Sequence, residues 1–405
     1  MPHKIIQRAA ARHLPKLIAE LKRKEQSPFM RTMQSETGAS VMLEDQRVLM
    51  FGSNNYLGLA ADSRVLHAAN RGIHEFGSAT TGSRLLNGSV RLHVDIEERI
   101  AQWYGAPAAL AFTSGYTANV GTISALMSRR DTVVVDAYAH ASIIDGVRLS
   151  GARLLWFDHN SVDSLRTVLA EAKEGSGDVL VIVDGLYSME GSLSPLADIV
   201  DLCKQNGAAI MVDEAHSLGI YGENRRGWAE ECGVLDDVDV LMGSLSKGLG
   251  STGGFIVGPE ELMVALRGSA RSFIFSTSAT PSSVAAANEA IRITMSDEGK
   301  VLAANVQESS RTLAALLGER GVKVESNTNG QWSPILPVLI GSEARTIATW
   351  NEILRGGAYV GVAMHPAVPR DRALLRVCVS AAHSPDDLAK VADVIRNALD
   401  ATADL

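Results

Sequence analysis

The sequence predicts an α/β protein with a mostly parallel central sheet flanked by helices and a smaller α+β domain towards the C-terminus. Seven short, almost wholly apolar runs alternate with helix-length stretches through most of the chain. After about residue 283 the pattern changes to long helical stretches with scattered strands. The chain contains 36 glycines and only 5% aromatic residues, a composition typical of a turn-rich α/β fold.

The seven apolar runs are predicted to be strands, because continuous apolar residues are typical of strands buried on both faces of a parallel sheet. They cover residues 108–112, 132–135, 153–157, 179–183, 208–212, 238–242 and 254–257. Helices are predicted between most of them, over residues 94–103, 118–127, 161–172 and 196–206. This alternation indicates a sheet covered by helices on both sides.

The remaining elements form an N-terminal segment and a C-terminal domain. Leu14, Leu17, Ile18 and Leu21 have helical spacing, and residues 47–51 are predicted to form a short strand. Helices are predicted at 283–294, 301–317 and 385–399, and strands at 322–325, 333–340 and 373–379. We expect a helix-and-strand segment at 1–50, a large α/β domain at 51–285, and a small α+β domain at 286–405 that the N-terminal segment completes.

Composition excludes several classes of protein. With 38 Lys and Arg against 46 Asp and Glu, the net charge of −8 argues against a nucleic-acid partner. The three cysteines are too few for a disulfide scaffold and too far apart for a metal site. No run of about 18 apolar residues occurs, so no membrane span is expected, and we expect a cytoplasmic protein. Eight basic residues precede residue 32, and a targeting peptide stays open beside an ordered, partly exposed helix.

Polar residues follow five of the apolar runs, at the point where each strand ends. They begin at Thr113, Asp136, Asp184, Asp213 and Ser244. In a parallel sheet the carboxyl ends of the strands meet along one edge, and ligands bind beyond that edge. We therefore expect the functional site to be built from these five strand ends.

A lysine and an aspartate at two of these strand ends suit pyridoxal 5'-phosphate (PLP). Lys247 follows the run 238–242 among small and hydroxyl-bearing residues, and Asp213 follows the run 208–212. A desolvated lysine can form a Schiff base with an aldehyde. A carboxylate can keep the pyridine nitrogen of the cofactor protonated, which draws electrons from the substrate Cα. The pairing of the two therefore predicts a PLP site.

Other residues add to this hypothesis. Residues 114–117 open a helix, and the amide groups of a helix start favour phosphate. His140 is placed to stack on a flat ring, and His216 lies three residues beyond Asp213. Arg376 is a charge inside an apolar strand, which requires an anionic partner. The sequence leaves open whether Arg376 forms a structural salt bridge or binds a substrate carboxylate.

The sequence resembles the α-oxoamine synthases, which are PLP-dependent enzymes of fold type I. The resemblance covers about residues 35–400 and rests on ten motifs in the same order. They lie at residues 53–59, 81–84, 87–93, 114–119, 139–142, 188–191, 213–219, 246–248, 275–278 and 376–383. It implies that residues 51–285 form the PLP-binding domain.

The resemblance assigns a role to each matching position. Lys247 would hold the cofactor and remove the Cα proton, Asp213 would pair with the pyridine nitrogen, His216 would bond the ring hydroxyl, and His140 would stack on the ring. Further cofactor contacts are implied for Ser114, Gly115, Tyr116, Ser188 and Ser244, and, from a second subunit of a homodimer with shared sites, Ser276 and Thr277. Substrate contacts are implied for Asn54, Ser83, Arg84 and Arg376. No metal is implied.

The implied reaction joins a small amino acid to an acyl thioester, with loss of carbon dioxide and thiol. Relatives that use a succinyl group carry Asn where this chain has Leu85, so we expect an apolar acyl chain. Glycine, alanine and serine stay open as the amino acid, and acyl carrier protein stays open beside coenzyme A. An aminotransferase and a non-catalytic subunit with the same fold are the alternatives.

Overall fold

The structure, a computed structural model, describes residues 3–324, 327–328 and 330–405. The strands are β1 Ser40–Leu43, β2 Gln46–Phe51, β3 Ala108–Phe112, β4 Thr132–Asp136, β5 Arg153–Phe157, β6 Val179–Asp184, β7 Ala209–Asp213, β8 Val240–Ser244, β9 Gly254–Gly258, β10 Asn327–Thr328, β11 Gln331–Trp332, β12 Ile335–Gly341, β13 Ala358–Ala363 and β14 Ala373–Cys378. The helices are α1 Lys4–Ala10, α2 His13–Arg23, α3 Ser63–Phe76, α4 Arg91–Tyr104, α5 Gly115–Leu126, α6 Ala141–Ser150, α7 Val162–Ala172, α8 Leu196–Asn206, α9 Trp228–Glu231, α10 Glu260–Ser269, α11 Arg271–Ile274, α12 Pro281–Met295, α13 Asp297–Glu319, α14 Glu343–Arg355 and α15 Pro385–Ala401.

A seven-stranded sheet is the centre of the larger of the two units of the chain, which contains Asn54–Ser188 and Ser192–Gln307. Its order is β3-β9-β8-β7-β6-β4-β5, so all seven apolar runs of the sequence are confirmed as strands of one sheet. The pairs from β8 to β5 are parallel, whereas β9 is antiparallel to both of its neighbours. Every residue of β3, β4 and β8 is buried, which explains why these strands lack alternation of polar and apolar residues.

Helices α5, α6 and α10 contribute apolar side chains to the core against this sheet. Ile123 of α5, Val147 of α6 and Met263 of α10 are fully buried in one cluster with strand residues such as Val133 and Ile256. Gly146 of α6 faces Ile123 of α5, and a Cβ at this glycine would lie 3.0 Å from the Cβ of Ile123. The glycine therefore permits the close packing of α5 and α6.

A five-stranded sheet of order β1-β2-β13-β14-β12 is the centre of the second unit. Its core includes Trp350 of α14, Val391 of α15 and Leu375 of β14, all buried. Strand β2 pairs with β13 in parallel, so the two N-terminal strands belong to the same sheet as the C-terminal strands. Helix α2, predicted from its leucine spacing, buries Leu21 in a small cluster with Ile347.

The structure divides the chain at other positions than the three predicted segments. One unit contains Asn54–Ser188 and Ser192–Gln307, and the other contains the chain up to Ser53, Met189–Gly191 and Glu308–Leu405. The predicted boundary at 285/286 therefore moves by about twenty residues towards the C-terminus. The reason is that α12 packs against α3 and α4, which places it in the larger unit.

One predicted strand is not formed over its described residues, and several elements of the structure were not predicted. Residues 322–324 are not in a strand, and Glu325 lies outside the described residues. The sequence pattern did not indicate α3, α6, α10, α14, β1 or β13. Among the described residues, no helix combines the length and apolar character that crossing a bilayer requires.

His383 is a buried histidine that the fold holds in its neutral form. Its Nδ1 accepts a hydrogen bond from the N–H of Ser380 (3.1 Å), and its Nε2 donates to the carbonyl of Met50 (3.1 Å). The ring stacks on Phe51 with centroids 3.8 Å apart. Burial lowers the pKa of His383 to about 4. Both hydrogen bonds require the proton on Nε2 alone, which agrees with this lowered pKa.

We predict that His383 makes the protein less stable as the pH falls from 6.5 towards 4. In this window the unfolded chain binds a proton at His383 and the folded chain does not, because the folded pKa is about 4 against an ordinary 6.5. The free energy of unfolding should therefore fall by about 1.4 kcal/mol per pH unit from this group. Urea denaturation of the wild type and His383→Gln at several pH values isolates the contribution. A difference between the two proteins that stays constant with pH would contradict it.

Candidate active site

A cleft opens at the carboxyl edge of the seven-stranded sheet, within the larger unit. Strands β6, β7 and β8 end at it, and helices α5 and α6 begin at it. Its lining residues are Ser114, Gly115, Tyr116, Asn119, His140, Ser142, Asp184, Asp213, Ala215, His216, Met242, Ser244, Ser246 and Lys247. The edge predicted from the strand ends is therefore where the polar side chains converge.

The first turn of α5 brings backbone N–H groups to the cleft. Ser114 caps this helix: its Oγ accepts from the N–H of Thr117 (3.1 Å), and its own N–H donates to Thr117 Oγ1 (3.0 Å). The next N–H groups of a helix start have no partner within the helix. Together with the helix dipole, they favour a phosphate group at this end of the cleft.

Strand β9 runs directly against this first turn. A Cβ on Gly254 would lie only 2.6 Å from both the Cα and the N of Gly115. Since the atoms in the way belong to the backbone, neither side can yield by rotating a side chain. Gly254 therefore sets how closely the α5 start approaches the sheet.

Lys247 enters the cleft from the turn that follows β8. Two hydroxyl groups accompany it, with Ser244 Oγ and Ser246 Oγ 2.8 Å apart. The turn is held by hydrogen bonds from the N–H of Gly250 to the Lys247 carbonyl (2.9 Å) and from the N–H of Ser251 to the Leu245 carbonyl (2.9 Å). This local backbone places an amine and two hydroxyls in one part of the cleft.

Asp213 ends β7 and is buried. Its Oδ1 accepts from the N–H of Ala215 (2.9 Å), and its Oδ2 accepts from Nδ2 of Asn119 on α5 (2.8 Å). Nearby, His216 Nδ1 and the hydroxyl of Tyr56 are hydrogen-bonded at 2.7 Å. Both carboxylate oxygens of Asp213 therefore have a hydrogen-bond donor, as a buried polar group requires.

Asp184 is a second buried carboxyl group in the cleft, beside Asp213 in the register of β6 and β7. Burial raises its pKa well above the usual value, and the charges of Asp213 and Asp136 raise it further. Among the described residues its Oδ1 has no hydrogen-bond partner. A buried polar atom without a partner, on the wall of a cleft, is a place where a bound molecule can contribute the missing contact.

Hydrogen bonds to neighbouring segments hold the loop between β4 and α6, which carries His140. Asp136 Oδ1 and His159 Nδ1 are 2.9 Å apart, and His159 Nε2 and Ser192 Oγ are 2.8 Å apart. Asp136 Oδ2 accepts from the N–H of Asn160 (2.9 Å). The segments that follow β4, β5 and β6 are thus connected by one network of hydrogen bonds.

The residues of the cleft fit PLP by the chemistry of their donor set. The α5 start and the hydroxyls of Ser244 and Ser246 suit a phosphate, and the amine of Lys247 suits an aldehyde. The carboxylate of Asp213, already held by two N–H donors, suits a protonated ring nitrogen. Within the described part of the chain, Oδ1 of Asp184 has no hydrogen-bond partner and can accept a bond from a bound molecule.

The structure brings together eight of the predicted cofactor residues. Ser114, Gly115, Tyr116, His140, Asp213, His216, Ser244 and Lys247 all line the cleft. The other predicted residues do not line it. Ser188 follows β6, Asn54 Oδ1 accepts from the hydroxyl of Tyr56 (3.2 Å), and Ser83 forms an isolated bridge with Thr277, next to Ser276. Arg376 lies buried on β14 in the second unit.

Arg84, a predicted substrate-binding residue, forms an ion pair in the structure. Its Nη1 and Nη2 donate to the two carboxylate oxygens of Glu97 on α4, at 2.8 and 3.1 Å. Its Nε donates to Ser89 Oγ (2.9 Å). All three nitrogens of the guanidinium are thus engaged, largely in a buried ion pair, and a substrate contact of Arg84 stays a prediction.

Sequence reasoning gave no role to Asn119 and Ser142, although both line the cleft. Each lies inside one of the ten motifs, Asn119 at the end of 114–119 and Ser142 at the end of 139–142, but neither has a predicted role. The available signal was position: Asn119 is a polar residue four places into the helix that starts at Gly115. An amide at such a depth is expected to be buried and to need partners.

Comparison with known proteins shows the family to which the chain is related. The model of the family "Aminotransferase class I and II" matches residues 46–395. Serine palmitoyltransferase from Sphingobacterium spiritivorum is 37% identical over 372 residues, covering 92% of each chain. 8-Amino-7-oxononanoate synthase from Geobacter sulfurreducens is 40% identical over 359 residues, covering 89% of this chain and 90% of that one.

Solved structures of related proteins share the fold over nearly the whole chain. Serine palmitoyltransferase from Sphingomonas wittichii has a TM-score of 0.90 at 35% identity, covering 97% of this chain and 99% of that one. A lysine-to-alanine variant of serine palmitoyltransferase from S. paucimobilis, solved with bound PLP and myriocin, has a TM-score of 0.92 at 32% identity, covering 97% and 98%.

We predict that Gly254→Ala weakens both folding and PLP binding. The added methyl group must push β9 away from the α5 start, which should reduce the free energy of unfolding by about 1–3 kcal/mol. Gly268→Ala is the matched control, because Gly268 is exposed on α10 and nothing lies within 4 Å of an added Cβ. That variant should gain about 0.5–1 kcal/mol. Urea denaturation and absorbance titration with PLP measure the two effects, and equal behaviour of both variants would disprove the argument.

Proposed function

The chain belongs to the aminotransferase class I and II family and, within it, to the PLP-dependent α-oxoamine synthases, and on this premise we propose that it condenses a small amino acid with an apolar acyl thioester. A carbon–carbon bond forms between the amino acid Cα and the acyl carbonyl carbon, the thiol leaves, and the carboxyl group is lost as carbon dioxide. The product is an α-amino ketone. The chain is thus a PLP-dependent acyltransferase.

One observation carries the proposal: Lys247, Asp213, His140 and the start of α5 line a single cleft. When bound there, PLP supplies an aldehyde for the nitrogen of the amino acid and a protonated ring that draws electrons away from the substrate Cα. Asp213 would hold the proton at the ring nitrogen. Lys247 would anchor the cofactor and, once displaced by the amino acid, take the Cα proton.

We assign the substrate carboxylate to Arg376, with Asn54 as a second donor. Arg376 is buried on β14, and its Nη1 lies 2.8 Å from Cys378 Sγ. Burial raises the pKa of the Cys378 thiol, so this contact orients the guanidinium and leaves its charge intact. A guanidinium oriented in this way suits two parallel hydrogen bonds to a carboxylate.

Three exposed apolar side chains support an apolar acyl group. Leu85, Leu86 and Phe275 are exposed by 56%, 81% and 73%, and the bridge between Ser83 and Thr277 joins the two segments that carry them. Burying a charged acyl end on such a surface would be unfavourable. We further propose a homodimer in which Ser276 and Thr277 reach the phosphate of the neighbouring subunit. Acyl carrier protein stays open beside coenzyme A as the acyl carrier, and a cytoplasmic location stays a prediction.

We predict that Lys247→Ala folds normally but loses the visible absorption of the PLP-loaded protein. Loss of the amine removes both the covalent anchor and the base, so thiol release should fall on the order of 10²–10⁴-fold. Lys173→Ala, which changes an exposed lysine at the end of α7, is the matched control and should behave as wild type. Absorbance, circular dichroism and a thiol assay give the three readouts. A yellow, active Lys247→Ala protein would refute the role of this residue.

A matrix of amino acids and acyl thioesters tests the reaction itself. Thiol should be released only when a small amino acid and an acyl-CoA are both present, and faster with long apolar chains than with succinyl-CoA. Fast release with succinyl-CoA alone among the donors would disprove the apolar acyl group. An amino acid alone that converts the cofactor to its amine form and yields a keto acid would favour an aminotransferase instead.

A further inference from the structure

We propose that Asn119 and Ser142 are positioning residues that determine where the protons of the cleft reside. Through them, Asp213 is held purely as an acceptor, and His140 is presented with its proton on Nε2. This proposal deepens the proposed function and rests on it for its meaning in catalysis. The hydrogen bonds themselves depend only on residues of the larger unit.

The three contacts form one continuous path across the cleft wall. Asn119 Nδ2 lies 2.8 Å from Asp213 Oδ2 and 2.9 Å from Ser142 Oγ. Ser142 Oγ lies 2.7 Å from His140 Nδ1. The path therefore links the aspartate proposed to hold the ring nitrogen with the histidine proposed to stack on the ring. Asn119, Ser142 and Asp213 are buried whereas His140 is exposed, so the two bonds donated by the Asn119 amide are shielded from water.

The amide of Asn119 sets the direction of every bond in the path. Its NH₂ group has two hydrogens and can only donate, so one goes to Asp213 and the other to Ser142. The reverse orientation of the amide would point its oxygen at the Asp213 carboxylate, which would bring two acceptors together. The Oδ1 of Asn119 is buried and has no partner among the described residues, which shows that the amide is oriented by its N–H bonds.

The direction continues through Ser142 to His140. Since Ser142 Oγ accepts from Asn119, its own hydrogen is free to donate to His140 Nδ1. The backbone N–H of Ser142 also donates to Nδ1, at 3.2 Å. With two donors on Nδ1, the ring is held neutral, with its proton on Nε2.

The groups around His140 shift its pKa in both directions. Desolvation by the surrounding protein lowers the pKa of His140, the charge of Asp213 raises it, and the charge of Lys247 lowers it. Asp184 faces the backbone N–H of His140, and the ring of Tyr116 lies edge-on to the imidazole with centroids 6.3 Å apart. The net effect is a lowered pKa of His140, which agrees with a neutral ring that accepts hydrogen bonds at Nδ1.

Chemical modification of His140 in the protein without PLP tests the path. Diethylpyrocarbonate reacts with neutral imidazole, and peptide mass spectrometry follows His140 alone as the pH is varied. In the wild type, the pH midpoint should lie below the ordinary histidine value of about 6.5. Removing the hydroxyl in Ser142→Ala should raise the midpoint by about 0.5–1 pH unit, the worth of one hydrogen bond to the neutral ring. Ser150→Ala, at the other end of α6, is the matched control and should not shift it.

A second pair of variants tests the Asp213 end. Asn119→Leu keeps the size of the side chain and removes the donor, so the dissociation constant for PLP should rise about tenfold or more. Thr122→Val on the same helix is the control, because the Thr122 hydroxyl is buried without a partner among the described residues. Its affinity for PLP should match the wild type.

The outcomes separate this proposal from the proposed reaction. Equal midpoints for Ser142→Ala and Ser150→Ala, or unchanged PLP affinity in Asn119→Leu, would overturn it. If Ser142→Ala does not fold, the wild-type midpoint decides, and a value at or above about 6.5 would overturn it. No substrate enters either measurement, so failure of the condensation assay would leave these results unaffected.

Discussion

The burial of the Asp213 carboxylate is the constraint on which the rest of the site depends. A charge at the end of a buried strand is unfavourable unless donors surround it, and here the donors are the N–H of Ala215 and the amide of Asn119. The second donor comes from α5, so the helix has to lie within hydrogen-bond distance of β7. Gly254 permits this approach, because only a residue without a Cβ lets β9 contact the first turn of α5. One ionic requirement therefore determines the placement of a helix and a strand.

The parallel arrangement of β4, β6, β7 and β8 brings the other functional groups to the same edge. Each of these strands is almost wholly apolar and ends in a polar residue. The sheet interior therefore forms the core, and the polar groups lie at the edge where ligands bind. The loops beyond the edge are not left to solvent. The network of Asp136, His159 and Ser192 connects them, which keeps the loop carrying His140 in place without using any group that lines the cleft.

Buried polar groups outside the cleft are stabilised in two different ways. Glu97 and Arg84 neutralise each other, and Glu97 also accepts from the N–H of Ala111 (3.0 Å), so this pair ties a loop and a strand to α4. His383 avoids charge altogether and connects residues 380 and 50 as a neutral donor and acceptor. In the cleft, by contrast, the Oδ1 atoms of Asn119 and Asp184 have no hydrogen-bond partner among the described residues. These two atoms lie on the wall of the cleft, where a bound molecule can supply the missing hydrogen bonds.

The sequence by itself determined the seven strands of the large sheet, the edge at which the site lies, and the residues Lys247, Asp213, His140 and His216. These features are encoded locally, in continuous apolar runs and in the residues that directly follow them. Only the tertiary structure decided the partners of polar side chains: Arg84 with Glu97, Asn119 with Asp213 and Ser142, and β2 with β13. Helix α6 was missed because Gly146 weakens its local preference, whereas packing against Ile123 requires that glycine. Such pairings depend on residues far apart in the chain, which no local pattern records.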